Sequence, residues 1–223
     1  SLDAFGGLAI AINDYMADNV RFVGSFPTLQ ELNNYVTIAS NGSIQTMWAA
    51  HYFAILAANA VIDNVPAVVD PGFTDAERKQ LIGEAKFIRA LTYFQMVNLW
   101  GQPYQVSNGN TPGVPLLLTA GALVGDIVKP ARNTVAEVYA QVEKDLTEAL
   151  PDVLNNFSAA DQTRGRATKG AVNALLSRVS LYKGDWAKAS QYADAILTGN
   201  SLYALASDFT FYDANTSEDI FSI

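Results

Sequence analysis

A chain of 223 residues, half of them apolar, has material for one domain of ordinary to large size with a substantial core. Its formal net charge of −8 argues against nucleic-acid binding, since a phosphate-tracking surface needs clustered Lys and Arg and the densest basic pair is Arg78-Lys79. The absence of cysteine removes disulfides and thiolate metal sites, and no run approaches the ~18 uninterrupted apolar residues of a membrane-spanning helix.

From the N-terminus, Leu8, Ile10, Ile12 and Met16 predict a helix within 3–20, although Gly6-Gly7 leaves its start undefined. From Arg21 to Gly42 the pattern dissolves into Pro, Asn, Ser and Thr, which reads as a long ordered loop packed through Phe22, Phe26, Leu29, Leu32 and Tyr35. A helix over about Ser43–Asn64 follows. Trp48, Tyr52, Ile55, Asn59 and Ile62 lie along one side, and its many alanines permit close approach of a neighbour.

Asp70-Pro71-Gly72 is a turn signal, and Thr74 with Glu77 then forms a T-x-x-E capping box. The helix it opens carries Leu81, Ala85, Ile88, Leu91, Phe94 and Val97 at helical spacing. From Phe87 onward apolar residues surround the axis, so the helix should be nearly engulfed. Gly101 is expected as a left-handed cap, and Pro103 bars continuation. Residues 101–131 form a second long connection with a brief extended piece at Val114–Leu118, which Pro115 keeps from being a central strand. Thr134 and Glu137 open another capped helix reaching about Leu150, and Asn155–Gly165 reads as polar loop. Last comes a helical hairpin. Ala171, Ala174, Leu175, Arg178 and Tyr182 precede the turn Gly184-Asp185-Trp186, with Ala189, Tyr192, Ala193 and Ile196 beyond it. Small residues where two antiparallel helices must touch resemble a tetratricopeptide unit, and the segments 43–99 and 133–150 look like degenerate versions that stack with it.

The central helix also carries a family likeness. Glu84-Ala85-x-Phe87-x-Arg89-Ala90-x-x-Tyr93-Phe94, followed by Leu99, Gly101 and Pro103, closely resembles the hallmark helix of the RagB/SusD family of outer-membrane nutrient-binding lipoproteins. The resemblance continues through Thr134-Val135-x-Glu137-Val138-Tyr139, Asp145-Leu146-x-Glu148-Ala149 and Gly165-Arg166-Ala167-x-Lys169-Gly170-Ala171. It implies an all-α, tetratricopeptide-like solenoid with long excursions, forming a single domain over 1–223. It also implies a cell-surface lipoprotein in the outer membrane that partners a TonB-dependent, SusC-like transporter barrel. The family's lipoprotein signal and lipidated cysteine are not in this sequence, and Glu218–Ile223 resembles its short E-x-I-F strand. A mature or engineered N-terminal portion of a longer protein is therefore expected.

Residues able to carry chemistry have plainer roles open to them as well. His51, the single histidine, sits by Trp48 and Tyr52 on an apolar helix, where a packed role outweighs catalysis. There is no G-x-S-x-G elbow, no calcium-loop pattern, no P-loop and no dinucleotide fingerprint, so no cofactor is implied. Any two of 22 acids can meet in space, yet no pair is marked for glycoside hydrolysis. Glu84 and Arg89 read as a buried structural network, and Trp100 and Tyr104 as structural. A sugar site stacks C–H faces on Trp or Tyr and fixes hydroxyls with Asn, Asp or Arg. In the family the region before the Trp-bearing helix contributes to the ligand face, which makes Tyr35, Asn41 and Trp48 the candidate ligand residues, with Asn33, Asn34 and Gln45 as further polar candidates. The resulting expectation is non-catalytic capture of an oligosaccharide for delivery to the transporter. The alternatives are a protein-interaction module, a peptide binder on the same scaffold and, third, a glycan-active enzyme.

Overall fold

The computed structural model describes residues 2–17, 20–123, 129–198, 202–206 and 216–222. They form two compact units, 1–55 and 56–222, each described by itself. The described residues are helical and irregular, with one isolated antiparallel bridge, Pro112 to Thr134, and no strand.

In the first unit the predicted N-terminal helix is split. Helix α1 spans Leu2–Phe5 and α2 spans Leu8–Tyr15, and Gly7 between them has φ 51°, a turn that two adjacent glycines permit. Residues 18–19 of the predicted span lie outside the described residues. The expected loop at 21–42 contains a helix, α3, over Pro27–Asn33. Pro27 at its first position has the backbone angle a helix start needs, and Leu32 is its fully buried anchor. Asn33 ties the surrounding chain down: its Nδ2 donates to the Tyr15 and Val20 carbonyls, and its Oδ1 accepts from the Phe22 N–H. Helix α4, Gly42–Asn64, has its first turns here, and the buried residues among those described are Ala4, Ile12, Leu32, Asn41, Met47, His51 and Ile55.

The second unit is organised on α5, Asp75–Trp100. Its capping box is complete: the Thr74 hydroxyl accepts from the Glu77 N–H, and the Glu77 carboxylate accepts from the Thr74 N–H at 2.8 Å. Phe87, Ala90, Tyr93, Phe94, Met96 and Val97 are buried, as the apolar girdle requires. Gly101 ends the helix differently from expectation. It is extended (φ −105°, ψ 173°), and glycine is needed for space, since a Cβ there would stand 2.6 Å from the Val97 carbonyl and 3.2 Å from Val135. After the short α6, Tyr104–Ser107, the chain runs irregularly to α7, Val135–Ala149, opened by the second predicted capping box. Residues 124–128 of that connection lie outside the described residues.

Helix α7 packs along α5 and is antiparallel to it. Lys86 meets Glu148, Arg89 meets Asp145, and Phe94 meets Tyr139 edge-on at 5.8 Å, the partners descending α7 as they climb α5. The segment 133–150 therefore holds one helix that pairs with α5, not a hairpin of its own. The loop expected at 155–165 closes with α8, Ala160–Gly165. Helix α9, Lys169–Lys183, and α10, Trp186–Leu197, form the predicted hairpin. Gly184 is left-handed (φ 82°), and the Asp185 side chain caps α10 on the Lys188 N–H. Two further pieces cover α9 and α5: the Tyr203 ring lies against Gly170, and Phe221 meets Phe87 edge-on at 5.0 Å. Residues 218–222 are not the expected strand. No strand lies beside them among the described residues; the chain turns at Thr216–Asp219, Arg164 donates to the Thr216 carbonyl, and the Arg164 carbonyl accepts from the Ser222 N–H. Ile223 lies outside the described residues.

Candidate functional site

In the first unit, the sequence Ser40-Asn41-Gly42-Ser43 dictates how α4 begins. Asn41 is the cap: its Oδ1 accepts from the Ile44 N–H at 3.2 Å, while its Nδ2 donates to the Thr28 carbonyl at 2.9 Å and to the Glu31 carboxylate at 2.7 Å. With 2% of its surface exposed, Asn41 holds α3 to α4 and directs its side-chain amide to protein partners. Gln45 donates to the Ala39 carbonyl. Tyr35 lies just beyond α3 with a left-handed backbone (φ 58°) and is 61% exposed, beside the exposed Val36 and Ile38. Trp48 is half-buried one turn before Tyr52, the two rings 5.1 Å apart. Of the three candidates, Tyr35 and Trp48 present aromatic surface and Asn41 does not.

Helices α2, α3 and the start of α4 also enclose a cleft of about 730 Å³ that the sequence pattern did not disclose. Leu8, Tyr15, Phe26, Leu29 and Met47 supply its apolar surface, and Thr28, Ser43 and Thr46 line it with hydroxyl-bearing side chains. Ser43 donates to the Thr28 hydroxyl at 2.8 Å, which orients both groups. Finding this cleft requires recognising α3. Pro27, with Leu29 and Leu32 beyond it, is the signal, and with 21–42 taken as a loop no face exists on which to place Phe26 or Thr28. No Asp, Glu, His, Lys or Arg is among the residues that line the cleft.

His51 is fully buried, and its Nδ1–H donates to the Met47 carbonyl at 2.7 Å, a helix-internal bond that fixes the ring against Phe5. Among the described residues no three His, Asp or Glu side chains gather as metal ligands do.

In the second unit, charge is used internally. The Arg89 guanidinium donates from Nε and Nη2 to the two Asp145 carboxylate oxygens at 2.8 and 2.6 Å, and from Nη1 to Asn59 Oδ1 at 2.8 Å. Burial works against the Arg89 charge, but the Asp145 carboxylate outweighs it, and the guanidinium pKa is raised. Asn59 Nδ2 in turn donates to the Leu117 and Thr119 carbonyls. The Tyr93 hydroxyl donates to the Leu117 carbonyl and accepts from the Leu117 N–H, and burial raises its pKa well above the ordinary phenol value. Glu84 does not pair with Arg89. It accepts from Arg166 at 2.7 Å and from Gln80 at 2.6 Å. A second cleft, of about 720 Å³ at the start of α5, lies between Phe73, Leu81, Leu154 and Phe157. Its one cation, Arg166, is held by Glu84 and lies 4.4 Å above the Phe157 ring. The Tyr104 ring packs on Tyr139 at 5.0 Å, and the Trp100 carbonyl accepts from Arg132. Both serve the helix junction.

Comparison with known proteins places this geometry in context. Residues 8–181 match the family model described as SusD-like, starch-binding and associating with the outer membrane. The SusD-like protein P2 of Formosa agariphila is 26% identical over 236 residues, covering all of this chain and 43% of that protein. The starch-binding protein SusD of Bacteroides thetaiotaomicron is 27% identical over 146 residues, covering 62% of this chain and 22% of that one. A SusD superfamily crystal structure from Bacteroides fragilis superposes with a TM-score of 0.84 at 26% identity, over 97% of this chain and 49% of that one. The chain thus spans less than half the length of each.

Proposed function

This chain belongs to the SusD-like family, and from that premise we propose that it binds carbohydrate without transforming it, as part of a cell-surface protein of the outer membrane. The observation that carries this reading is the family match across 8–181, which runs from α2 into the last turn of α9. The uncharged cleft agrees with it. Aromatic and aliphatic walls suit the C–H faces of a sugar ring, and hydroxyls suit its hydroxyls. Tyr35 and Trp48 extend the aromatic surface available nearby in the sequence. Attachment through a lipid anchor, which the resemblance to outer-membrane lipoproteins implies, forms part of the proposal; none of the described helices is long and apolar enough to cross a membrane.

Delivery to a TonB-dependent, SusC-like barrel is the second half of the proposal. The feature in its favour is the α9–α10 hairpin, where Leu181, Tyr182, Trp186 and Leu197 remain substantially exposed on a rigid helical pair. Calorimetric titration with glycans, followed by chromatography of the same mixtures, tests the first half. Binding with no new reducing ends is the expected result, and product formation would sink it. Co-purification from native membranes tests the second half, and recovery of the protein without any barrel partner counts against it.

A further inference from the structure

Resting on the carbohydrate reading above, we infer that the cleft between α2, α3 and the start of α4 takes a neutral oligosaccharide and discriminates against uronate-bearing and sulfated ones. Recognition of a carboxylate or sulfate ester ordinarily recruits a cation, most effectively the two-pronged guanidinium of Arg. The cleft has none. Its polar groups are the hydroxyls of Thr28, Ser43 and Thr46, which both donate and accept and so match uncharged sugar hydroxyls. Tyr15 and Phe26, the latter 67% exposed, offer faces for C–H stacking.

The surroundings point the same way. Residues 1–55 contain a single base, Arg21, against four acids, Asp3, Asp14, Asp18 and Glu31. His51 is fully buried and does not reach the surface of the unit. An anionic glycan therefore approaches a net-negative unit of a net-negative chain, and nothing in the cleft replaces the water it must shed. The volume, about 730 Å³, lies within the range of small-molecule clefts and accommodates a short oligosaccharide.

The test uses the full-length gene product in affinity electrophoresis and calorimetry. Neutral polysaccharides (starch, laminarin, xyloglucan, galactomannan, xylan) are set against pectate, alginate and carrageenan. At least one neutral glycan should bind, with every anionic one weaker by about tenfold or more. Raising salt from about 50 to about 500 mM should leave neutral binding unchanged, because no ion pair is there to be screened. Tighter binding of an anionic glycan, or salt-sensitive binding, overturns the inference while leaving the carbohydrate reading intact. Absence of binding to any glycan by folded protein overturns that reading, and the inference with it. The site itself is tested by Gly42→Phe. Gly42 lines the cleft and a Cβ built there meets nothing within 4 Å, so a bulky side chain is accommodated at the cleft wall without a clash. Binding should fall about tenfold or more at an unchanged melting temperature, and undiminished binding in the folded variant would move the site elsewhere.

Discussion

At the scale of single residues, Arg89 and Asp145 show how a buried charge is retained. Their side chains are 7% and 1% exposed, and each satisfies the other through two hydrogen bonds. Removing one partner strands the other, so Asp145→Ala should destabilise the unit by about 3–5 kcal/mol in chemical denaturation. The double replacement Arg89→Met/Asp145→Leu should recover most of that loss, and a double variant as unstable as the single would refute this account. Gly184→Val should cost about 1–3 kcal/mol, because a β-branched residue is strained at φ 82°. A melting curve like the parent's would show that the turn relaxes freely. The two glycines also mark what a sequence discloses. Gly184 is legible, since Gly-Asp-aromatic between two apolar stripes specifies a left-handed turn locally. Gly101 reads the same way, yet its requirement is set partly by Val135, whose approach no local pattern reveals.

Elements obey their local signals where those are dense. Both T-x-x-E boxes form as the spacing requires, and the helix interiors follow from apolar periodicity. Helices α3 and α8 are hidden because each is only six or seven residues long and rich in polar side chains, too short for a period to emerge. The capping carboxylates carry a pH signature. Glu77 and Glu137 have pKa values lowered chiefly by the backbone N–H groups of Thr74 and Thr134. Their stabilisation is therefore full above the ordinary glutamate range and is lost as pH falls through the depressed folded values. The melting temperature should decline from about pH 6 toward about pH 3, and Glu77→Ala/Glu137→Ala should decline less steeply. Parallel curves for the two proteins would count against the boxes as a source. Within α5, Phe94 is buried while Leu91 is only partly so, although both lie on the same predicted stripe. Phe94→Ala should cost about 3–5 kcal/mol and Leu91→Ala distinctly less, by thermal denaturation. Equal losses would mean the stripe is uniformly enclosed.

Across the whole molecule, the all-helical architecture is readable because its signals repeat, whereas the candidate site is readable only in part. Tyr35 is exposed and Trp48 half-buried, while Asn41 turns inward, since a cap and a ligand contact draw on the same amide and sequence does not say which use prevails. Hydrogen exchange should be slowest for the amides of Phe87–Val97 and Val138–Leu146, where buried side chains crowd both helices, and faster in α2 and α3. Slower exchange in α2 than in α5 would invert the assigned core. The antiparallel pairing of α5 with α7 has one more consequence. A slip of one helix along the other by a turn would shift every contact by about 5.4 Å. The ion pairs forbid it. Lys86 and Arg89 are spaced by three on one helix and Asp145 and Glu148 by three on the other, so both bonds close in a single alignment. Any slip strands a buried charge. The network thus acts as a two-toothed key that, with the Phe94–Tyr139 contact, holds the pair in one axial register.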